Sequence, residues 1–300
     1  MDRPAQGLVP GLERLMTLDE AIVPEDRPLD RVFRAATFEL IPLASAYDRA
    51  GAIPPGSTVT ITVSPTRGLE PTLELAESLA ERGFSVVPHV AARTVRDRVH
   101  LAEVVARLDG AGLRRVFVVG GDGEDVGLFP DALSLLRAVE ELGHRFESVG
   151  IAGYPQGHPA IATDALWLAL LAKQSHADYV TTQLCFDTAA TSRWVDDARR
   201  LGLTLPIHLG LPGPGDVTRI ARIAARVGVA DAARYLRKNR GLVGAILRRR
   251  AFRPDRLLEE LASTIADPDA KVDGLHVFTF NQVDDAVAWR ARALASPAIS

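Results

Sequence analysis

The chain has 300 residues, of which 47% are hydrophobic and 24% charged, and its formal net charge is −3. This composition is ordinary for a globular protein with a sizeable core, and it does not favour nucleic acid as a partner. The single cysteine, Cys185, excludes an intrachain disulfide, and without a signal-peptide pattern this predicts a cytoplasmic protein. No run of about 18 apolar residues is present, so we expect no membrane-spanning helix.

Short strand-like runs alternate with longer segments of helical periodicity along most of the chain. In order, the strand-like runs are TFELIPL, TVTITVS, FSVVPHV, RVFVVGG, SVGIAGY, DYVTTQLCF, LPIHLGL and GLHVFTF. Apolar residues at helical spacing fill the segments between them, and two of these helices are predicted to stop at Gly83 and Gly112. The strands read as almost continuously apolar, which is typical of strands that are buried on both faces.

Eight such units predict an α/β fold of the closed (β/α)8 type, a TIM barrel, rather than an open doubly wound sheet. An open sheet with a nucleotide site would carry a glycine-rich turn after an early strand, whereas VVGGDGED follows the fourth strand and lacks the G-x-G-x-x-G spacing. We predict an N-terminal arm over residues 1–30 and one barrel domain over residues 31–300. The segment after the seventh strand exceeds one helix, so we predict a helical insertion at about residues 215–268, beside the barrel mouth or on an outer flank.

Polar or conformationally special residues end nearly every predicted strand. In order they are Glu39, Ser64, His89, Asp122, Tyr154 with Gln156 and His158, Gln183, Pro212, and Thr279 with Asn281. The carboxyl ends of barrel strands share one rim, where function gathers in this fold. Although each residue alone also fits a structural role, the set predicts one site on that rim.

Seven short segments resemble, in order, motifs of the methylenetetrahydrofolate reductase family, whose fold is a (β/α)8 barrel. TFELIP resembles the first-strand motif S-F-E-F-x-P, VVPHVAAR resembles P-H-L-T-C, and VGGDGED resembles L-R-G-D. VGIAGYPQGHP is similar to A-x-Y-P-E-x-H-P, and LLAKQSHADYVTTQLCFD to L-K-x-K…GA-x-F-x-I-T-Q-x-F-F-D. LGLPGPG and LHVFTFN are similar to P-G-I-x-P and H-F-Y-T-L-N, so the resemblance runs from about Thr37 to Asn281.

The resemblance implies hydride transfer from NADH or NADPH to methylenetetrahydrofolate, a small-molecule substrate, giving the 5-methyl form that serves methionine biosynthesis. The bridging ring must first open to an iminium ion, which needs a general acid at the departing nitrogen. The family glutamate with this role corresponds to Glu39, and we expect the flanking Phe38 and Leu40 to desolvate its carboxylate. The family aspartate that stabilises the cation corresponds to Asp122, for which a cap or turn role is the structural alternative.

The resemblance also assigns residues to the ligands, and it assigns none to a metal. Gln183 corresponds to a glutamine that hydrogen-bonds the pterin, and Phe186 to an aromatic residue that lies against the folate or only packs in the core. The remaining matches belong to the redox-cofactor site: Ser64, His89, Tyr154, His158 and Lys173. Pro155 and Pro159 are expected to hold Tyr154 and His158 in place.

The departures from the family pattern concern FAD, which in the family takes hydride from the nicotinamide and passes it to the folate. Gly120 replaces the arginine of L-R-G-D, and Leu171 replaces the first lysine of L-K-x-K. Leu128 and Phe129 replace a flavin-contacting Tyr-Ala. The alternatives are a remodelled FAD site or a barrel that seats the nicotinamide directly against the folate, and we favour the second.

Two further hypotheses keep the folate site without the reduction. One is a folate-dependent methyltransferase or corrinoid partner, and the other is a non-catalytic folate-binding barrel. The sequence leaves open the choice between NADH and NADPH and the oligomeric state.

Overall fold

Eight parallel strands close into a barrel in chain order in a computed structural model, which describes residues 27–64, 67–121, 127–216 and 252–295. The strands are β1 (Thr37–Leu40), β2 (Thr58–Ile61), β3 (Ser85–Ala91), β4 (Arg115–Val119), β5 (Ser148–Gly153), β6 (Tyr179–Thr182), β7 (Ile207–Pro212) and β8 (Val272–Phe278). Strand β8 pairs with β1, with His276 opposite Thr37 and Phe278 opposite Glu39, and this pairing closes the ring. The predicted (β/α)8 barrel is confirmed.

An outer ring of helices surrounds the barrel. In the described ranges they are α1 (Pro28–Arg34), α2 (Ala44–Arg49), α3 (Glu70–Glu81), α4 (Arg98–Gly110), α5 (Ala132–Glu141), α6 (Thr163–Lys173), α7 (Thr188–Arg200), α8 (Asp255–Ala266) and α9 (Val283–Ala295). The predicted stops after α3 and α4 are confirmed, since Gly83 and Gly112 have φ angles of 82° and 70°. Glycine adopts this left-handed conformation without the steric cost of a Cβ atom. None of these helices is long and apolar enough to cross a membrane.

Helix α8 packs against α1, α7 and β8, which is the ordinary place of the crossover helix between β7 and β8. It lies within the range predicted as a helical insertion, of which residues 217–251 fall outside the described part of the chain. Residues 1–26 of the predicted arm fall outside it as well. Helix α1 begins at Pro28 and packs against α8, α9 and β8, so the described chain joins the ring at that residue.

The two faces of the strands differ in chemistry, because successive side chains of a strand point to opposite sides. The outward set is apolar and buried against the helices: Phe38, Leu40, Val59, Ile61, Val116, Val118, Ile151, Val180, Leu209 and Val277. The inward set is largely polar or aromatic: Thr37, Glu39, Thr60, His89, Phe117, Tyr179, Thr181, His208 and His276. The strands are therefore buried on both faces, as predicted, but their inner face is largely polar or aromatic and not almost continuously apolar.

Ring contacts across the barrel show that the inward side chains fill its interior. His89 on β3 and His276 on β8 have ring centroids 6.2 Å apart, although their strands are not neighbours. Phe117 on β4 likewise approaches Tyr179 on β6 at 6.3 Å. The intervening strand β5 has Gly150 at this level, where a Cβ atom would lie 2.4 Å from Cζ of Tyr179. The small residue makes room for the large rings.

Candidate active site

Glu39 lies near the carboxyl end of β1 and points into the barrel, where it meets His276. Its Oε2 is 3.2 Å from His276 Nε2, and His276 Nδ1 is 3.2 Å from Thr37 Oγ1. The side chains of Glu39 and His276 are only 11% and 3% exposed. Phe38 and Leu40 face the helices instead, so the expectation that they set the environment of the carboxylate was wrong. The interior, and above all His276, sets it.

The segment after β8 holds the end of β1 in place. Thr279 Oγ1 donates to the Glu39 carbonyl at 2.5 Å. The Asn281 amide bonds Ile41 on both sides, accepting from its N–H at 2.9 Å and donating to its carbonyl at 3.0 Å. Phe280 and Asn281 have φ angles of 51° and 58°, which non-glycine residues rarely adopt. These two rim residues, Thr279 and Asn281, therefore fix the backbone that carries Glu39.

Two further histidines in the interior are held neutral. Burial, with a smaller contribution from repulsion by His276, lowers the pKa of His89 to about 3 and that of His208 to about 4. His89 packs on Phe117 with ring centroids 4.6 Å apart, and His208 stacks on Tyr179 at 4.7 Å. Burial also raises the pKa of the Tyr179 phenol, so this group keeps its proton near neutrality. Among these three groups none carries charge at neutral pH.

The loop between β5 and α6 brings the rings of Tyr154 and His158 together. Gly157, with φ of 76°, donates its N–H to the Tyr154 carbonyl at 3.0 Å and closes a turn. The two rings meet edge to face with centroids 5.5 Å apart. The Ala160 N–H donates to His158 Nδ1 at 3.2 Å, which leaves Nε2 as the protonated nitrogen of a neutral ring. Tyr154 also borders a cavity of about 280 Å³ between the loop, α6 and α7.

Gln183 follows β6 at the rim and is half-buried. Its Oε1 accepts the Leu184 N–H at 2.8 Å, which orients the side-chain amide and directs the Nε2 group to donate. Phe186 is buried and packs on Phe252 with centroids 5.8 Å apart, as in the packing alternative. Cys185 is buried too, and its thiol donates to the Asp187 carbonyl at 3.3 Å.

Three predicted site residues remain, and two of them lie in the described part of the chain. Asp122 falls outside the described residues. Ser64 ends the β2 loop, and its Oγ accepts the Arg67 N–H at 3.3 Å. Lys173 is half-buried in the last turn of α6, whose chain leads to the start of β6, so its backbone lies toward the amino-terminal end of the barrel. Burial lowers the pKa of its ammonium group, and Asp131 opposes this shift.

Sequence reasoning missed Thr37 and His276 as partners of Glu39. The signal was present, because Thr37 and Glu39 alternate with Phe38 and Leu40, and His276 alternates with Leu275 and Val277. Period-two alternation of polar and apolar residues predicts one polar face on each strand. Glu39 and His276 are 237 residues apart in the chain. Their contact could be predicted only once the barrel was known to close by pairing its first and last strands.

Comparison with known proteins gives partial matches to named reductases. A protein of Caenorhabditis elegans named "Probable methylenetetrahydrofolate reductase (NADPH)" is 36% identical over 124 residues, which are 38% of this chain and 19% of that protein. "Methylenetetrahydrofolate reductase (NADH) 1" of Arabidopsis thaliana is 32% identical over 119 residues, 33% of this chain and 20% of that protein. The matches thus span about a fifth of the length of these curated relatives.

A solved structure and a family model match much more of the chain. The structure is that of an uncharacterized protein from Clostridium thermocellum that binds two copies of 5-methyl-5,6,7,8-tetrahydrofolic acid. It aligns with 90% of this chain and 97% of its own at a TM-score of 0.56 and 13% identity, a likeness of fold alone. Residues 39–234 match the family model described as methylenetetrahydrofolate reductase. Because this match covers more than half of the chain, the protein belongs to the methylenetetrahydrofolate reductase family.

Proposed function

We propose that this protein transfers hydride from NADH or NADPH to methylenetetrahydrofolate, with Glu39 as the general acid. The observation that carries the proposal is the buried pair of Glu39 and His276 inside the barrel of a chain that belongs to this family. Relatives bear the names of NADPH- and NADH-dependent reductases, and the structural neighbour binds the 5-methyl folate that this reaction would produce. All three support the proposal.

Proton transfer is the step that we assign to Glu39. Its proton goes to the departing nitrogen, the C–N bond breaks, and the one-carbon unit becomes an iminium ion. The nicotinamide supplies a hydride, whose electron pair forms the new C–H bond. The carboxylate left behind lies 3.2 Å from His276 Nε2, and its small exposure keeps water from competing for the proton.

Gln183 and the β5–α6 loop are our candidates for holding the two reactants. The oriented amide of Gln183 offers N–H donors for the acceptor atoms of a pterin ring. Tyr154 and His158 bring an aromatic ring and an imidazole ring together on this loop, a pair whose chemistry suits a nicotinamide ring. In this arrangement the two rings bind the nicotinamide itself. This is what the favoured alternative requires, in which the nicotinamide lies directly against the folate without FAD between them. By resemblance to the family aspartate, Asp122 remains our candidate for stabilising the iminium cation.

The charges at the rim support hydride transfer without FAD. A flavin dinucleotide carries a pyrophosphate, which needs cations or free N–H groups. Position 120 is glycine, and Arg93, which enters the same rim from the end of β3, donates to the carbonyls of Gly121 at 3.3 Å and Pro130 at 3.1 Å. The backbone of Lys173 lies toward the other end of the barrel, and the nearby charge of Asp131 acts on its ammonium group.

Among the described residues, these side chains do not fit a pyrophosphate. Each lost charge-assisted contact removes about 1.5–3 kcal/mol, so losing two weakens binding by about 10²-fold or more. This estimate supports the favoured alternative over a remodelled FAD site.

The test is turnover of purified protein with methylenetetrahydrofolate and either NADH or NADPH, following 5-methyltetrahydrofolate as product. Glu39→Gln keeps the size of the side chain but cannot donate the proton, and we expect it to lower kcat by at least ~10²-fold. Glu81→Gln, at an exposed position on α3, is the matched control and should retain full activity. Near-normal turnover of Glu39→Gln would remove this residue from the mechanism. Folate binding without any nicotinamide oxidation would favour a methyltransferase or a non-catalytic folate-binding barrel.

A further inference from the structure

We propose that the cleft between α6 and α7 binds a small molecule made of one aromatic ring and a carboxylate. This cleft is the cavity of about 280 Å³ that Tyr154 borders. Leu166, Trp167 and Leu170 line it from α6, and Trp194 lines it from α7. The site lies outside the barrel interior, and its occupation does not depend on the proposed function.

The wall of the barrel separates the cleft from the interior. Successive side chains of β5 point to opposite faces of the sheet, and Gly150 faces inward, where an added Cβ would meet the ring of Tyr179. Gly153, three residues further on, therefore faces outward, and its Cβ would lie 2.5 Å from the indole of Trp194. The cleft thus lies on the helix side of β5 and shares Tyr154, on the loop above, with the candidate active site.

The apolar lining of the cleft suits a flat ring. Trp167 and Trp194 stack with centroids 5.4 Å apart and an interplanar angle of 16°. Trp194 is buried, whereas Trp167 is half-buried and keeps part of its aromatic surface accessible. Leu166 and Leu170 add aliphatic surface on the same helix. Because aromatic rings pack well on the face or edge of an indole, this lining favours an aromatic ligand over an aliphatic one.

One cation and one amide supply the polar groups of the cleft. Arg193 lines it from α7, and Gln156 lines it from the β5–α6 loop. Within the described ranges, Arg193 makes no ion pair and the side-chain amide of Gln156 makes no hydrogen bond. Asp197, one turn further along α7, is already paired with Arg200. The guanidinium of Arg193 is therefore left for a ligand, and a guanidinium binds a carboxylate through two parallel hydrogen bonds.

The volume of the cleft limits the size of the ligand. Pockets that hold drug-sized molecules measure about 300–1,000 Å³, and the cleft, at about 280 Å³, lies just below this range. A single ring with a carboxylate fits such a volume, whereas a dinucleotide or a whole folate exceeds it. The cleft is thus a different class of site from the one that holds the two reactants.

Benzoate is the probe for this site, because it consists of one aromatic ring and one carboxylate. Benzamide has nearly the same shape without the charge and is the control ligand. Two of the three tryptophans line the cleft, while Trp289 lies on α9, so tryptophan fluorescence reports occupation, and calorimetry measures the affinity independently. We expect saturable binding of benzoate with a Kd of about 1 mM or below, and binding of benzamide at least about tenfold weaker.

Substitutions locate the bound probe. Arg193→Gln should weaken benzoate binding at least about tenfold and leave benzamide binding unchanged, because it removes the charge-assisted contact alone. Arg137→Gln, at an exposed position on α5 outside the cleft, is the matched control and should bind benzoate as the wild type does. Trp167→Leu should weaken the binding of both probes, since it removes aromatic surface. If this variant does not fold, Arg193→Gln, at an exposed position, still decides.

Four results would overturn the proposal. They are the absence of saturable benzoate binding, equal affinity for benzoate and benzamide, unchanged affinity in Arg193→Gln, and displacement of benzoate by NADH, which would place the probe in the candidate active site. The titrations need no turnover. A failure of the proposed function, seen as absent reductase activity, is therefore distinguishable from a failure of this site.

Discussion

Mild acid should destabilise the fold through the two neutral histidines of the barrel interior. Burial first, and His276 second, lowers the pKa of His89 from its ordinary 6.5 to about 3 and that of His208 to about 4. In the unfolded chain both groups recover the ordinary value. Below that value the unfolded state binds protons that the folded state does not, so the free energy of unfolding falls as the pH falls.

The size of the effect follows from these shifts. At about pH 5, protonation of the unfolded chain lowers the free energy of unfolding by about 2 kcal/mol for each histidine. This pH lies roughly 1.5 units below the ordinary histidine pKa, and each unit corresponds to about 1.36 kcal/mol. The two histidines together therefore remove about 4 kcal/mol. At about pH 7.5 both histidines are deprotonated in the folded and in the unfolded chain, so they no longer lower the free energy of unfolding. The full stability is therefore present above the ordinary histidine pKa.

Urea unfolding of the wild type and of a His89→Phe/His208→Phe variant at both pH values measures this contribution. Phenylalanine keeps a ring against Phe117 and Tyr179 but cannot bind a proton. The wild type should lose about 4 kcal/mol more than the double variant between the two pH values. An equal loss in the wild type and the double variant would refute the assignment of neutral, buried histidines.

Two further substitutions test the ligand site and the barrel wall. Gln183→Ala should raise the KM for the folate more than that for the nicotinamide, because the pterin ring loses its N–H donor; a selective rise for the nicotinamide would place this residue on the other ligand. Gly210→Ala should destabilise the barrel by about 3 kcal/mol, since its Cβ would lie 2.0 Å from the Thr182 carbonyl oxygen. Gly110→Ala, where the added atom meets nothing within 4 Å, is the control, and equal melting temperatures for the two variants would contradict the steric argument.

The fold was predictable from the sequence because each β/α unit is local. Apolar runs and helical spacing lie within a few tens of residues, and glycine stops such as Gly83 and Gly112 mark the helix ends. Eight units in one chain then favour closure. The alternation in TFEL, TVTI and IHLGL also indicates a polar inner face, but the interpretation of these runs as almost continuously apolar concealed it.

The site was predictable only in part. The position of Glu39 follows from its place at a strand end, whereas its partner His276 comes from the last strand of the barrel and depends on closure. Lys173 stays a prediction: its motif suggests a cofactor phosphate, and the structure adds only that its backbone lies in the last turn of α6. Motif matches give the residue types, and the directions of strands and helices decide where the side chains lie.

Isotope transfer from the nicotinamide tests the central claim of direct hydride transfer most directly. The protein is incubated with NADH carrying deuterium at both C4 positions, methylenetetrahydrofolate is then added in ordinary water, and the methyl group of the product is analysed by mass spectrometry. Direct transfer predicts one deuterium in every new methyl group, with no NADH oxidation before the folate is added. A reduced flavin would exchange its hydrogen with water during the incubation. Loss of the deuterium from the methyl group, together with stoichiometric flavin absorbing at about 450 nm after denaturation, would contradict the account and restore an FAD-dependent reductase.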